Sequence, residues 1–61
     1  MNIKKKFLIK AYPDIESNLK GEEQYVWVSC YKEAIEYAWS IFPEYHEVAA
    51  FDTGERYEYK G

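Results

Sequence analysis

Hydrophobic and polar positions change rhythm twice along this chain, and the changes divide it into three parts. Through residues 3–12, Ile3, Phe7, Ile9 and Ala11 alternate with Lys4, Lys6, Leu8, Lys10 and Tyr12. A period of two is the pattern of a half-buried strand. Pro13, Asp14, Ser17, Asn18 and Gly21 then gather as turn formers before a second β-rich run over 24–29, Gln24, Tyr25, Val26, Trp27, Val28 and Ser29. Together the two runs predict an antiparallel hairpin.

At Tyr31 the period lengthens. Tyr31, Ala34, Ile35, Ala38, Ile41 and Phe42 fall on one helical face and Lys32, Glu33, Glu36 and Ser40 on the other, which predicts an amphipathic helix over 31–42. Ser29 or Cys30 takes the cap position, and Glu33 puts a negative charge near the N-terminal end of the dipole. Pro43 stops the helix, because proline disfavours the α conformation at the residue before it and lacks the N–H to continue. Tyr37 and Trp39 lie at the two flanks of the apolar face, where each would seal an edge of the core.

In the last third, Asp52, Thr53, Gly54 and Glu55 carry turn chemistry between two β-rich runs, 45–52 and 55–60, and predict a second hairpin. A two-residue loop at Thr53 and Gly54 sets Ala50 against Tyr57, Val48 against Tyr59 and Glu47 against Lys60. A one-residue slip would bring Ala50 opposite Arg56, so the two-residue loop is the better register, with a bulge at Gly54 as the alternative that would shift it. The expectation is therefore an α+β fold of order ββαββ, a four-stranded antiparallel sheet with strand order 2-1-3-4 and one helix packed on one face. A right-handed crossover through the helix places the third strand beside the first.

One helix covers one side of a sheet, so alternation decides what the other side shows. Valine and cysteine are more often fully buried than tyrosine or tryptophan. Val26, Val28 and Cys30 are accordingly expected under the helix with Phe7, Ile9, Val48, Ala50, Tyr57 and Tyr59. That choice leaves Leu8, Tyr12, Tyr25, Trp27, Ala49 and Phe51 on the open face, with Lys6, Lys10, Arg56 and Glu58 among them. Two Trp, seven Tyr and three Phe are more ring surface than one small core can hide. Tyrosine buries an apolar body while its hydroxyl stays hydrated, which suits a contact surface. The candidate binding residues are Tyr12, Tyr25, Trp27 and Phe51, with Lys10 and Arg56 at the rim.

Size and charge narrow the remaining options. A domain of this length buries only about 60 % of the surface its unfolded chain exposes, so small folds widen their margin with disulfides, metals or self-association. Cys30 is the only cysteine and is expected to be a small buried hydrophobe, in keeping with a reducing, cytoplasmic setting. His46 is the only histidine and its neighbours Glu44 and Glu47 make no recognised ligand spacing, so no metal or other cofactor is expected. Self-association, as a homodimer or similar, is the option left. The lysines at 4–6 precede too few apolar residues for a signal peptide, and no run approaches a membrane span, so the chain is expected to be soluble and whole.

Net charge is −3, with seven acids after residue 30 against Lys32, Arg56 and Lys60. An acidic chain repels a phosphate backbone, which disfavours duplex nucleic acid. Lysine outnumbers arginine seven to one, the bias of AT-rich coding in a bacterium or phage. No phosphate-cradling glycine loop and no oriented nucleophile–base pair is evident, so an enzyme is not expected. The leading expectation is a protein–protein interaction module, self-associating or docking on a larger partner through the aromatic face. There are two alternatives: the rings beside lysines on the same face could stack single-stranded nucleic acid, or the acids of the C-terminal half, Glu33, Glu36, Glu44 and Glu47 among them, could mimic phosphates as a phage-type inhibitor does.

Overall fold

β1 (Asn2–Tyr12) is the middle strand of a three-stranded sheet in the computed structural model, which describes residues 2–59. β2 (Glu22–Val28) pairs antiparallel on one side and β3 (Glu47–Tyr59) on the other, giving the order β2-β1-β3. The outer strands run parallel to each other, and the connection between them carries α1 (Tyr31–Ile41) across one face. The first hairpin, the helix and the placement of the third strand beside the first are as the sequence predicts.

Alternation along β1 and β2 sorts the side chains as expected. Phe7, Ile9, Val26 and Val28 are buried under Ala34 and Ala38 of α1, and Ile41, Phe42, Val48 and Ala50 pack around that cluster. Alanine at both buried helix positions lets the helix backbone approach the sheet closely, and the larger apolar groups come from the strands. Phe42 takes a non-helical conformation and its N–H donates to the Ala38 carbonyl, closing the helix immediately before Pro43. Cys30 departs from expectation. It is exposed rather than buried, because β2 ends at Val28 and the chain bends through Ser29 and Cys30 into the helix. Cys30 holds the N-cap position without a side-chain cap bond, and the Ser29 hydroxyl donates instead to the Glu33 carboxylate. That hydrogen bond, aided by Lys4 at 3.8 Å, holds the Glu33 carboxyl below its ordinary value.

The larger departure lies in the last third, where the described residues form no second hairpin. Residues expected as third and fourth strands make one 13-residue strand lying along the whole of β1, and Lys60 is outside the described residues. Val48 is opposite Ala11 and Ala50 opposite Ile9, while Tyr57 is opposite Lys4 and Tyr59 opposite Asn2. Between these stretches the register shifts: Phe7 faces Asp52 but Lys5 faces Arg56, so Thr53, Gly54 and Glu55 stand against Lys6 alone. The Asp-Thr-Gly-Glu segment is thus a bulge rather than a reversal.

Each bulge residue has a physical role. Gly54 takes φ +91°, a region that side-chain-bearing residues rarely adopt. The Thr53 hydroxyl donates to the Lys6 carbonyl at 2.8 Å, satisfying an acceptor that the broken ladder would leave open. Asp52 accepts from the Gly54 N–H at 2.9 Å and receives both guanidinium nitrogens of Arg56, at 3.0 and 3.1 Å. These bonds, the Arg56 fork first, hold the Asp52 carboxyl below its ordinary value.

Because β3 does not fold back, the molecule is long, with principal extents of 45 × 18 × 12 Å. A strand of that length at about 3.4 Å per residue accounts for the long axis, whereas α1 at about 1.5 Å per residue covers roughly a third of it. The core therefore sits under the helix. The far ends of β1 and β3 extend past it, and Ile3, on the helix side by alternation, is half exposed. At the opposite end, the Tyr45 hydroxyl donates to the Lys20 carbonyl at 2.8 Å and ties down the 13–21 loop. Desolvation there, with Glu22 and Glu44 nearby, raises the Tyr45 pKa.

Candidate interaction face

The sheet face opposite α1 is built on the even-numbered residues of β1. Lys6, Leu8, Lys10 and Tyr12 point away from the buried Phe7, Ile9 and Ala11. Register then brings Tyr25 beside Leu8 and Trp27 beside Lys6 from one side, and Phe51 beside Leu8 from the other. Among these, Tyr12, Tyr25, Trp27, Phe51 and Lys10 are five of the six residues singled out from sequence, and they share this face.

Arg56 is the sixth, and it lies on the other side. Its partner Asp52 stands opposite buried Phe7, and Arg56 itself stands opposite Lys5, which is paired on β2 with buried Val28. Tyr57 makes the reverse exchange. Expected beneath the helix, it meets Trp27 edge-on across β1, with ring centroids 6.4 Å apart. Both placements follow from replacing a hairpin by a bulge. Folding back would have turned Tyr57 inward, whereas a shift of two residues preserves alternation along β3.

Lys6 sits at the centre of the cluster and was not among the residues singled out. Its ammonium is 4.5 Å from the Tyr25 ring centroid, 6.0 Å from that of Trp27 and 3.1 Å from the Glu55 carboxylate. The butyl stem crosses the strand between rings while the charge reaches a ring face and an acid, the arrangement expected of an amphipathic side chain on an apolar surface. Lys10 repeats the pattern, 5.7 Å from the Phe51 ring and 3.7 Å from Glu23. A lysine alternating with apolar residues on a ring-rich face was the sequence signal for Lys6. It was legible only once the rings on both neighbouring strands were placed.

The rings remain accessible. Exposure runs from 40 % at Tyr12 to 58 % at Tyr57, with Trp27 at 46 % and Phe51 at 50 %. Such a surface can make ring and hydrogen-bond contacts. Among the described residues, no group of three or more His, Cys, Asp or Glu is placed to hold a metal, and no helix is long and apolar enough to cross a membrane. Compared with protein-family models, with curated proteins and with solved structures, the chain matches none.

Proposed function

We propose that the protein is a small interaction module, working in the cytoplasm by binding rather than catalysis, whose aromatic sheet face docks on an apolar protein surface. The observation that supports this most is the row of half-exposed rings at Tyr25, Trp27 and Tyr57 around Lys6, with Phe51 beside Lys10. Tryptophan and tyrosine are enriched among the few residues that dominate interface energy, and contiguous ring surface of this kind is uncommon on a monomer that has no partner. The lysine ammoniums lie against the Tyr25 and Phe51 rings, contacts that favour these ring placements and so lower the entropy lost on docking. A photo-crosslinking side chain at position 51 is expected to capture a discrete partner in cells, and one at exposed Glu36 on the helix is not. Identical adduct patterns at both positions would remove the reading.

The ring–lysine contacts also supply the chemistry of a single-strand nucleic-acid binder, and this second reading rests on them. Against it, Lys6 and Lys10 are each engaged by a glutamate on the same face. Oligonucleotide titration at low salt decides it: unchanged tryptophan fluorescence excludes stacking on Trp27.

A further inference from the structure

β2 is an edge strand, and the direction of its unpaired backbone groups can be read from three contacts on β1. The Lys6 carbonyl accepts from Thr53 and the Tyr12 carbonyl from the His46 N–H, so even-numbered residues of β1 direct their backbone groups toward β3. The Ala11 carbonyl instead lies on the β2 side, 3.6 Å from where a Cβ on Gly21 would sit. Odd-numbered residues of β1 therefore bond to β2, and their partners Gln24, Val26 and Val28 point inward. Glu23, Tyr25 and Trp27 are left with N–H and C=O groups aimed outward from the sheet.

No proline, glycine, lysine or bulge interrupts this edge, although these are the devices that normally keep an edge strand from pairing. Beside it lies an open cleft of about 390 Å³ between β2 and α1, with Glu33 and Tyr37 on the helix wall. The cleft holds α1 back from the outer edge of β2, so the helix does not cover that edge.

We propose that the occupant is a second copy of this chain, its β2 pairing antiparallel with the first about a two-fold axis at Tyr25, so that two three-stranded sheets join into one of six. The register follows from the sequence of the strand. With Tyr25 opposite Tyr25 of the second copy, Glu23 falls opposite Trp27 and Trp27 opposite Glu23, so every outward residue exchanges its backbone hydrogen bonds. Glu22 then meets Val28. An axis two residues earlier would set Glu23 against Glu23, like charges directly opposite. An axis two residues later would leave Glu23 beyond the paired strand. The Tyr25 axis also makes the rings of Tyr25 and Trp27 continuous across the junction, on the same face as Lys6. A typical stable interface buries about 800 Å² per partner, under a fifth of the 4547 Å² surface of one copy, and a seven-residue edge with flanking rings supplies a weaker, reversible contact.

This pairing rests on the backbone edge and not on the docking reading of the ring face, and the two can fail separately. Sedimentation equilibrium of the whole chain over micromolar to millimolar concentration is expected to show a monomer–dimer equilibrium. Tyr25→Lys, which places two ammonium groups across the axis, raises the dissociation constant by about tenfold or more. Tyr25→Pro, which removes an outward N–H that the monomer does not use, is expected to have a similar effect. Phe51→Ser, on the far side of β1, leaves dimerisation unchanged while weakening capture of a partner by the ring face. A strict monomer at millimolar concentration overturns the proposal. So does a dimer that both Tyr25 variants, shown folded by circular dichroism, leave intact.

Discussion

The two edges of this sheet solve the same problem in opposite ways. β3 presents a long outer edge broken near its middle by Thr53, Gly54 and Glu55, with Asp52 and Arg56 clasped across the break. β2 presents a short, regular edge without any such device. A bulge twists a strand and interrupts its row of donors and acceptors, which makes pairing with another chain unfavourable. On the pairing proposed above, the regular edge of β2 is the one left open for a second copy. Where one edge is closed by several cooperating residues, the open one is the place to seek a partner.

The most drastic way to break the contrast is to remove the bulge. Deleting Thr53 and Gly54 brings Glu55 opposite Lys6 with Arg56 still opposite Lys5, a continuous ladder along β1. The shortened chain is expected to keep its helix and core but to gain a second regular edge. Light scattering at fixed concentration should then report chain-like association instead of dimers.

Next in size is Gly54→Val. Nothing lies within 4 Å of the added Cβ, so the cost comes from φ +91° alone. A β-branched residue held there is destabilising by about 1–3 kcal/mol. Urea denaturation checks this, and an unchanged midpoint would mean that the bulge is not formed as described. On β2, Val28→Ala is expected to cost about 1–3 kcal/mol through lost burial and a residual cavity. Trp27→Ala, one residue earlier and half exposed, removes the edge-on contact with Tyr57 and is expected to cost less, about 0.5–1 kcal/mol. If the two substitutions cost the same, Trp27 carries core packing and the face reading fails.

The smallest expected effect is the response to acid. Asp52 and Glu33 both have folded-state pKa values below their ordinary 3.8 and 4.5. A depressed carboxyl contributes stability that is complete above the unfolded value and is lost as pH falls through the folded one. Melting temperature is therefore expected to hold steady from about pH 5 to about pH 9, below the range where the raised Tyr45 phenol titrates, and to decline below about pH 4.5. Asp52→Asn removes one of the two contributions and should make that decline shallower.

How much of this was legible in the chain depends on how local the deciding physics was. The rhythm of Phe7, Ile9 and Ala11, the switch of period at Tyr31 and the stop at Pro43 are local, and each produced the element it predicts. The outward placement of Tyr25 and Trp27 followed from the different burial habits of valine and large aromatics. Asp52–Glu55 misled because a hairpin turn and a bulge use the same chemistry: a glycine at positive φ, an aspartate accepting its N–H, and a threonine satisfying a nearby carbonyl. What decides between them is the length of β1. Residues 2–5 of an 11-residue central strand need a neighbour on the β3 side, and a chain that turned back at Gly54 would leave them without one. Arg56 and Tyr57 were misplaced for that reason alone. Cys30 was misplaced for another, because burial habit was extended two residues past the end of the strand.

Residue-resolved amide exchange at low and high protein concentration tests the edge contrast most directly. In dilute solution the amides of Gln24, Val26 and Val28 should be protected and those of Glu23, Tyr25 and Trp27 should exchange freely. At high concentration the second set should slow, while the outward amides of β3 at Val48, Ala50 and Glu58 stay fast. Slowing at the β3 edge instead, or none at Tyr25, would contradict the account.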